Sequence, residues 1–231
     1  MINGKRVVGW IPARGGSKGI KDKNIKLLDG KPLIFYTIDA AKKSQYIDEV
    51  IVSTDSEKIA KIAEMYGAKI PELRPKELAE DTSKTLDAVL YTLKYFEKHN
   101  ISFDIFCILQ PTSPLRTNED IDKALLLFEK DKGIHDIISV SPVRKHPLLL
   151  RSICEDGHME KLLPLKSTVR RQDMSPYFEI NGAIYINAVC RINDTTSFND
   201  NSIPFIMSTK NSVDIDEPED FILAEYFIKN K

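Results

Sequence analysis

An α/β fold, with a mainly parallel sheet and helices on both faces, is predicted for this chain of 231 residues. Two observations predict it. Strand-like apolar runs alternate with helical patterns through about the first 140 residues, as repeated βαβ units do. The run Phe103–Leu109 is apolar at nearly every position, which suits a central strand covered on both sides.

The first unit is a strand at Val7–Ile11, a basic loop, and a helix opened by Pro32 with Leu33, Ile34, Tyr36 and Ala40 turned inward. Glu49–Ser53 is the second strand. Thr54 or Asp55 is expected to cap the next helix, whose Ile59, Ile62, Ala63 and Tyr66 share a face and which Gly67 ends. A third helix carries Leu86, Val89, Leu90, Leu93 and Phe96 at helical spacing. After Phe103–Leu109 comes a proline-rich loop, Gln110–Arg116, and then Thr117-x-x-Asp120, a capping box for a helix through Phe128. Asp136–Val140 reads as a strand.

From Ser141 to Pro176 the pattern changes to prolines, charges and short strand-like pieces at Leu148–Ile153 and Glu160–Leu163. The segment is an excursion from the sheet, either a surface insertion or a lid or dimer arm. The chain returns at Phe178–Asn187, adds a strand near Pro204–Ser208, and closes with a helix from Pro218 packed through Phe221, Ala224 and Ile228. A single domain over residues 1–231 is expected, with no internal repeats.

Lys and Arg number 33 against 34 Asp and Glu, which argues against a protein that coats nucleic acid. Cys107, Cys154 and Cys190 are odd in number and lack metal or C-x-x-C spacing, so a reduced cytoplasmic setting is expected. The N-terminal residues run into the first strand without a leader-like apolar stretch, and no run approaches a membrane span, so no membrane partner is expected.

The loop Gly9–Asn24 holds Gly15, Gly16 and Gly19 with the cations Arg14, Lys18, Lys21 and Lys23. Glycines let backbone N–H groups approach an anion, and the cations neutralise charge that amides alone cannot, so the loop reads as a polyphosphate grip. It is neither a Walker A loop, since Lys18 precedes Gly19, nor a dinucleotide fingerprint, since its glycines are out of register. A solvated basic turn is the plain alternative.

Ligands of parallel α/β sheets sit beyond the carboxyl ends of the strands, so four loops should converge there. They are the basic loop, Arg74 with Asp81, Thr82 and Ser83, the Gln110–Arg116 loop, and Asp214-Ile-Asp216. In an extended segment Asp214 and Asp216 point to one side, and two hard oxygen ligands beside phosphates suit Mg2+; a helix-capping Asp216 is the alternative. Gln110, Thr112, Ser113 and Arg116 are suited to a hydroxylated or carboxylated ligand on a loop stiffened by Pro111 and Pro114, or form a polar turn. The Arg170-Arg171 pair, followed by Gln172, can clamp a carboxylate or be a solvated charge run.

Together these stretches resemble the acylneuraminate cytidylyltransferases. The matching pieces are Ile11–Asn24, Ile51–Asp55, Arg74–Thr82, Leu109–Arg116, Arg171-Gln172, Asn181–Ile186 and Val213–Asp216, in family order along the chain. The resemblance implies a Rossmann-like fold of the nucleotide-diphospho-sugar transferase type and a reaction in which CTP and a nine-carbon 2-keto sugar acid give a CMP-sugar and pyrophosphate with Mg2+. It implies a CTP site of Arg14, Gly15, Ser17, Lys18, Lys23, Asn24, Arg74, Asp81 and Thr82, with Arg14, Lys18 and Lys23 on the phosphates. It implies a sugar-acid site of Gln110, Thr112, Ser113, Arg171, Gln172, Asn181 and Tyr185, and metal ligation by Asp214 and Asp216. Arg14, Lys18, Lys23, Asp214 and Asp216 would carry the catalysis. A homodimer is implied too, with residues 143–175 as its arm or lid. Relatives often carry a lysine soon after the His146-Pro147 pair, where this chain has Leu149; Lys145 or Arg151 is the expected substitute. Legionaminate, pseudaminate or the shorter 3-deoxy-manno-octulosonate are therefore alternative acids, and a CTP-binding module without turnover is the alternative of another class.

Overall fold

The structure is a computed structural model describing residues 1–16, 19–166 and 168–230, with Arg171 described through its backbone alone. In chain order the strands are β1 (Val7–Pro12), β2 (Leu27–Leu28), β3 (Lys31–Pro32), β4 (Glu49–Ser53), β5 (Ile105–Leu109), β6 (Ile137–Pro142), β7 (Arg151–Ile153), β8 (Met159–Lys161), β9 (Phe178–Ala188) and β10 (Ile203–Ile206). The α-helices are α1 (Leu33–Lys43), α2 (Glu57–Met65), α3 (Thr85–Lys98), α4 (Asn118–Lys130) and α5 (Pro218–Lys229).

Six strands form one sheet in the order β10-β6-β9-β5-β1-β4. β1 runs parallel to β4 and β5, β10 runs parallel to β6, and β9 is antiparallel to both β5 and β6. The expected mainly parallel sheet is present, with one strand reversed. Alternation along β1 and β5 divides the core. Val7, Ile11, Cys107 and Leu109 pack with Ile34, Ile38, Ile59, Ile121 and Leu125 of α1, α2 and α4. Val8, Trp10, Phe106 and Ile108 pack instead with Val89 and Phe96 of α3. A third cluster joins Leu28 and Leu33 to Val213, Ile215, Phe221 and Ala224, which seats α5.

Three local expectations are corrected. Ser56, rather than Thr54 or Asp55, caps α2, its hydroxyl accepting from the Ile59 N–H; Asp55 reaches instead to the N–H of Gly15. The piece expected as a strand from Leu148 starts as a 3-10 turn over Pro147–Leu149, because His146 caps it and Pro147 suits a first helical position. The second arm strand is Met159–Lys161, set back from Glu160–Leu163 by its pairing with Arg151–Ile153.

The ends of the excursion meet at its base. His146 contacts the Ser175 carbonyl through Nε2 at 3.0 Å, accepts from the Leu148 N–H through Nδ1, and stands edge-on to Tyr177. The register of β6 against β9 shifts between Ile138 and Val140, where β9 bulges through Asn181 and Gly182 (φ +70). Ser139 fills the gap, donating to Asn181 Oδ1 at 2.6 Å and accepting from the Ile184 N–H.

Candidate active site

A cleft of about 970 Å³ opens beyond the carboxyl ends of β1 and β5, and all four expected loops contribute to its walls. Arg14, Lys23 and Asn24 come from the basic loop, and Arg74 and Asp81 from the segment after α2. Gln110 and Thr112 follow β5, Asn181 and Tyr185 belong to β9, and Asp214 and Asp216 precede α5.

The basic loop is tied down on both flanks. Asn24 is buried and donates to the Arg14 carbonyl at 3.0 Å, and the Gly15 N–H donates to Asp55 Oδ1 at 2.8 Å. Arg14 pairs with Asp81 at 2.9 Å and donates to the Glu80 carbonyl. Lys23 bridges to the acidic segment, donating to the Ile215 carbonyl at 2.8 Å and meeting Asp216 Oδ1 at 3.2 Å. Close to it, a Cβ added to Gly19 would stand 3.1 Å from the Asp216 carbonyl oxygen, so glycine permits the approach. The cationic loop and the acidic couple thus share one wall. Ser17 and Lys18 lie outside the described residues.

The acidic segment is held from the other side by the loop after β5. The Ile215 N–H donates to the Thr112 carbonyl at 2.8 Å, and the Thr112 hydroxyl hydrogen-bonds Asp214. Glu217, not Asp216, is the N-cap of α5, so Asp216 is free of that duty; its own N–H donates to Asp220. Withdrawal from water pushes the Asp214 carboxyl above the usual carboxylate range, opposed by Thr112 and reinforced by the charge of Asp216. The Tyr185 hydroxyl is raised as well, first by burial and then by Asp214; it donates to Asn199.

Arg74 packs over Trp10 and donates to the Ser53 carbonyl at 2.7 Å and to Ser53 Oγ. Burial lowers its pKa to about 10, with the charge of Asp55 acting the other way. Arg74 therefore forms a fixed floor. Arg116 turns away from the cleft, only 2% exposed, and its Nη1 donates to the carbonyls of Gln110 and Ala183; it braces the loop from beneath. Ser113 is 1% exposed and also lies below the loop surface. Thr82 and Gln172 are exposed and do not line the cleft, and the side chain of Arg171 is outside the description. Asn181 lines the cleft, yet its amide is occupied by Ser139, Ala183 and Ser212.

Sequence reasoning missed Trp10, Lys84 and Asn199 in the walls and the tie from Asp55. Asp55 follows a strand end, a signal that was there to be used. Trp10 reads as core, and Asn199 is brought in by the packing of Phe198 against Tyr185 and by its bond from the Tyr185 hydroxyl, contacts that the chain order does not reveal.

Cations and paired carboxylates side by side, at the strand ends of a mixed sheet, define a site for moving a nucleotidyl group. A family model described as cytidylyltransferase matches residues 8–151, and the chain belongs to that family. The CMP-N,N'-diacetyllegionaminic acid synthase of Legionella pneumophila is 40% identical over 222 residues, which cover 95% of each chain. The N-acylneuraminate cytidylyltransferase of Escherichia coli is 34% identical over 95% of this chain; this chain spans about half of that relative, 51% of its length. Among solved structures, CMP:2-keto-3-deoxy-manno-octonic acid synthetase complexed with CTP superposes with a TM-score of 0.70. At 16% identity over 97% of this chain and 99% of that one, it shows a shared fold.

Proposed function

We propose that this cytidylyltransferase joins CMP from CTP to the anomeric hydroxyl of a nine-carbon 2-keto sugar acid, releasing pyrophosphate. The observation that carries the reading is the meeting of Lys23 with Asp216, with Gly19 against the same residue, in the cleft that also holds Arg14 and Gln110. The leaving pyrophosphate gains negative charge, which Arg14, Lys23 and Lys18 are suited to stabilise. Asp214, raised in basicity and held by Thr112, is suited to orient or deprotonate the attacking hydroxyl. Gln110, Thr112 and Tyr185 form the wall for the acid.

The donor set fits Mg2+. The described residues contain no cluster of three or more His, Cys, Asp or Glu, and Asp214 with Asp216 is the kind of two-carboxylate site that Mg2+ completes with phosphate oxygens and water. Bound there, Mg2+ would neutralise phosphate charge and ease loss of the hydroxyl proton. A homodimer is supported by the excursion, where Leu149, Ile153, Met159, Leu162 and Leu165 are exposed. Unpaired Cys107, Cys154 and Cys190 support a cytoplasmic setting.

The Legionella relative makes a diacetyllegionaminate-type acid the first substrate to offer. Incubation with CTP, Mg2+ and a panel of legionaminate, pseudaminate, N-acetylneuraminate and 3-deoxy-manno-octulosonate should yield a CMP-sugar by mass and equimolar pyrophosphate with a nine-carbon acid. Tight CTP binding without product from any of them would turn the reading toward a nucleotide-binding module.

A further inference from the structure

This inference rests on the reading above and concerns how the second substrate is held. Beside the acidic couple a smaller pocket of about 300 Å³ opens, lined by Ser141, Arg144, Thr209, Ser212, Asp214 and their neighbours. Asp214, Asn181 and Ile180 also line the main cleft, so Asp214 stands at the junction of the two spaces.

In the ring form of a 2-keto sugar acid, one carbon bears both the anomeric hydroxyl and the carboxylate. Bringing that hydroxyl to Asp214 brings the carboxylate there too. The wall already holds Asp214 and Asp216, with Glu179 and Asp220 lining the smaller pocket, and like charges partly withdrawn from water repel. A protein cation beside Asp214 would favour the incoming carboxylate, in addition to any charge that Mg2+ supplies.

Most of the described cations are committed elsewhere; the side chain of Arg171 is outside the description, and Lys145 lines neither space. Arg14 is paired with Asp81, Lys23 with Asp216, and Arg74 with Ser53. Arg170 is paired with Asp173. Arg151, one expected substitute for the absent lysine, donates to the Leu148 carbonyl at 2.8 Å and to that of Leu150 at 2.6 Å. Lys84 lies where the main cleft meets the segment 194–199, and it does not line the smaller pocket. Arg144, just past the exit of β6, lines the smaller pocket together with Asp214 and is exposed.

We propose that Arg144 binds the carboxylate of the sugar acid, and by doing so turns the anomeric hydroxyl toward Asp214. A guanidinium fork matches a carboxylate with two parallel hydrogen bonds, which fixes the orientation of the acid as well as its position.

The test compares wild type, R144A and R144K with CTP and the preferred acid, and with the methyl ester of that acid. R144A should raise KM for the acid by about 10- to 100-fold, the range for losing a charged hydrogen-bond partner, while KM for CTP stays within about twofold. R144K should recover part of the loss. Wild type should strongly prefer the free acid to its ester, and R144A should lose that preference. An unchanged KM for the acid, a parallel rise in both KM values, or a preference that survives in R144A would overturn the assignment. If wild type forms no CMP-sugar with any acid, the reading of the reaction fails on that result alone. Calorimetry of the acids with wild type and R144A then decides Arg144, and equal or absent binding overturns it.

Discussion

Asp214 carries opposing demands in a single side chain. Its carboxyl is raised by loss of water and by Asp216, so at neutral pH the folded protein carries the charge at a cost relative to the unfolded chain. A raised native value favours the folded state below the unfolded pKa, and the advantage is lost as pH rises through the native value. D214N should therefore melt slightly higher than wild type at pH 7.5, by about a degree or two, and the difference should vanish near pH 3. The same variant should lower kcat by roughly 10²-fold or more with CTP affinity nearly kept. Equal losses in CTP binding and turnover would contradict the division of labour between the two aspartates. Asp55 is the residue-scale surprise: its type suits a helix cap, but Ser56 takes that place and the carboxylate fastens Gly15. D55A should weaken CTP binding by about tenfold, consistent with losing one charge-assisted tie, and D55N, which keeps an acceptor oxygen, should recover most of it in a titration with CTP. Arg14, Lys23, Asp214 and Asp216 were legible in the chain because their charges stand beside glycines or alternate along an extended segment. Arg116 and Ser113 were misplaced because polarity alone does not say which side of a loop a side chain faces, and here carbonyls beneath the loop captured the guanidinium.

The elements that matter most are the excursion and the strand that follows it. β7 and β8 form a two-stranded hairpin, which is marginal in isolation, and Ile153 and Met159 face each other across it at 77% and 75% exposure. The proposed homodimer would bury such side chains. If the proposed dimer forms through this arm, the double change I153E with M159E should shift the protein toward monomer in analytical ultracentrifugation while leaving its circular dichroism unchanged; an unaltered sedimentation coefficient would count against a dimer built on it. The helices were well marked by their apolar spacing, and the Thr117–Asp120 box appears in α4 with both reciprocal bonds. T117A should lower stability by about 1 kcal/mol in urea unfolding. Strand limits in the excursion were harder to read. There a proline and a local cap outweighed β-branched and apolar runs, and the bulge of β9 follows from Ser139, a partner 42 residues away from Asn181.

For the molecule as a whole, burial separates the three cysteines. Cys107 is buried under α1 and α4 with its thiol pushed up to about 12 by burial, whereas Cys154 is half-buried and Cys190 exposed. Native protein at pH 8 should take up iodoacetamide at Cys190 and Cys154 but not at Cys107, which should react after denaturation; mass spectrometry of the peptides would show it. Cover on both faces was readable from the unbroken apolar run of β5, whose successive residues join opposite clusters in the structure. The antiparallel insertion of β9 was not, because strand direction leaves little trace in composition.

The contact of Lys23 with Ile215 and Asp216 links positions 192 and 193 residues apart. A polypeptide still leaving the ribosome therefore has no complete nucleotide seat until position 216 is out of the exit tunnel and the closing segment has docked. Premature release short of that point would yield chains with the front half of the grip and without the closing carboxylates, so truncated products should not consume CTP.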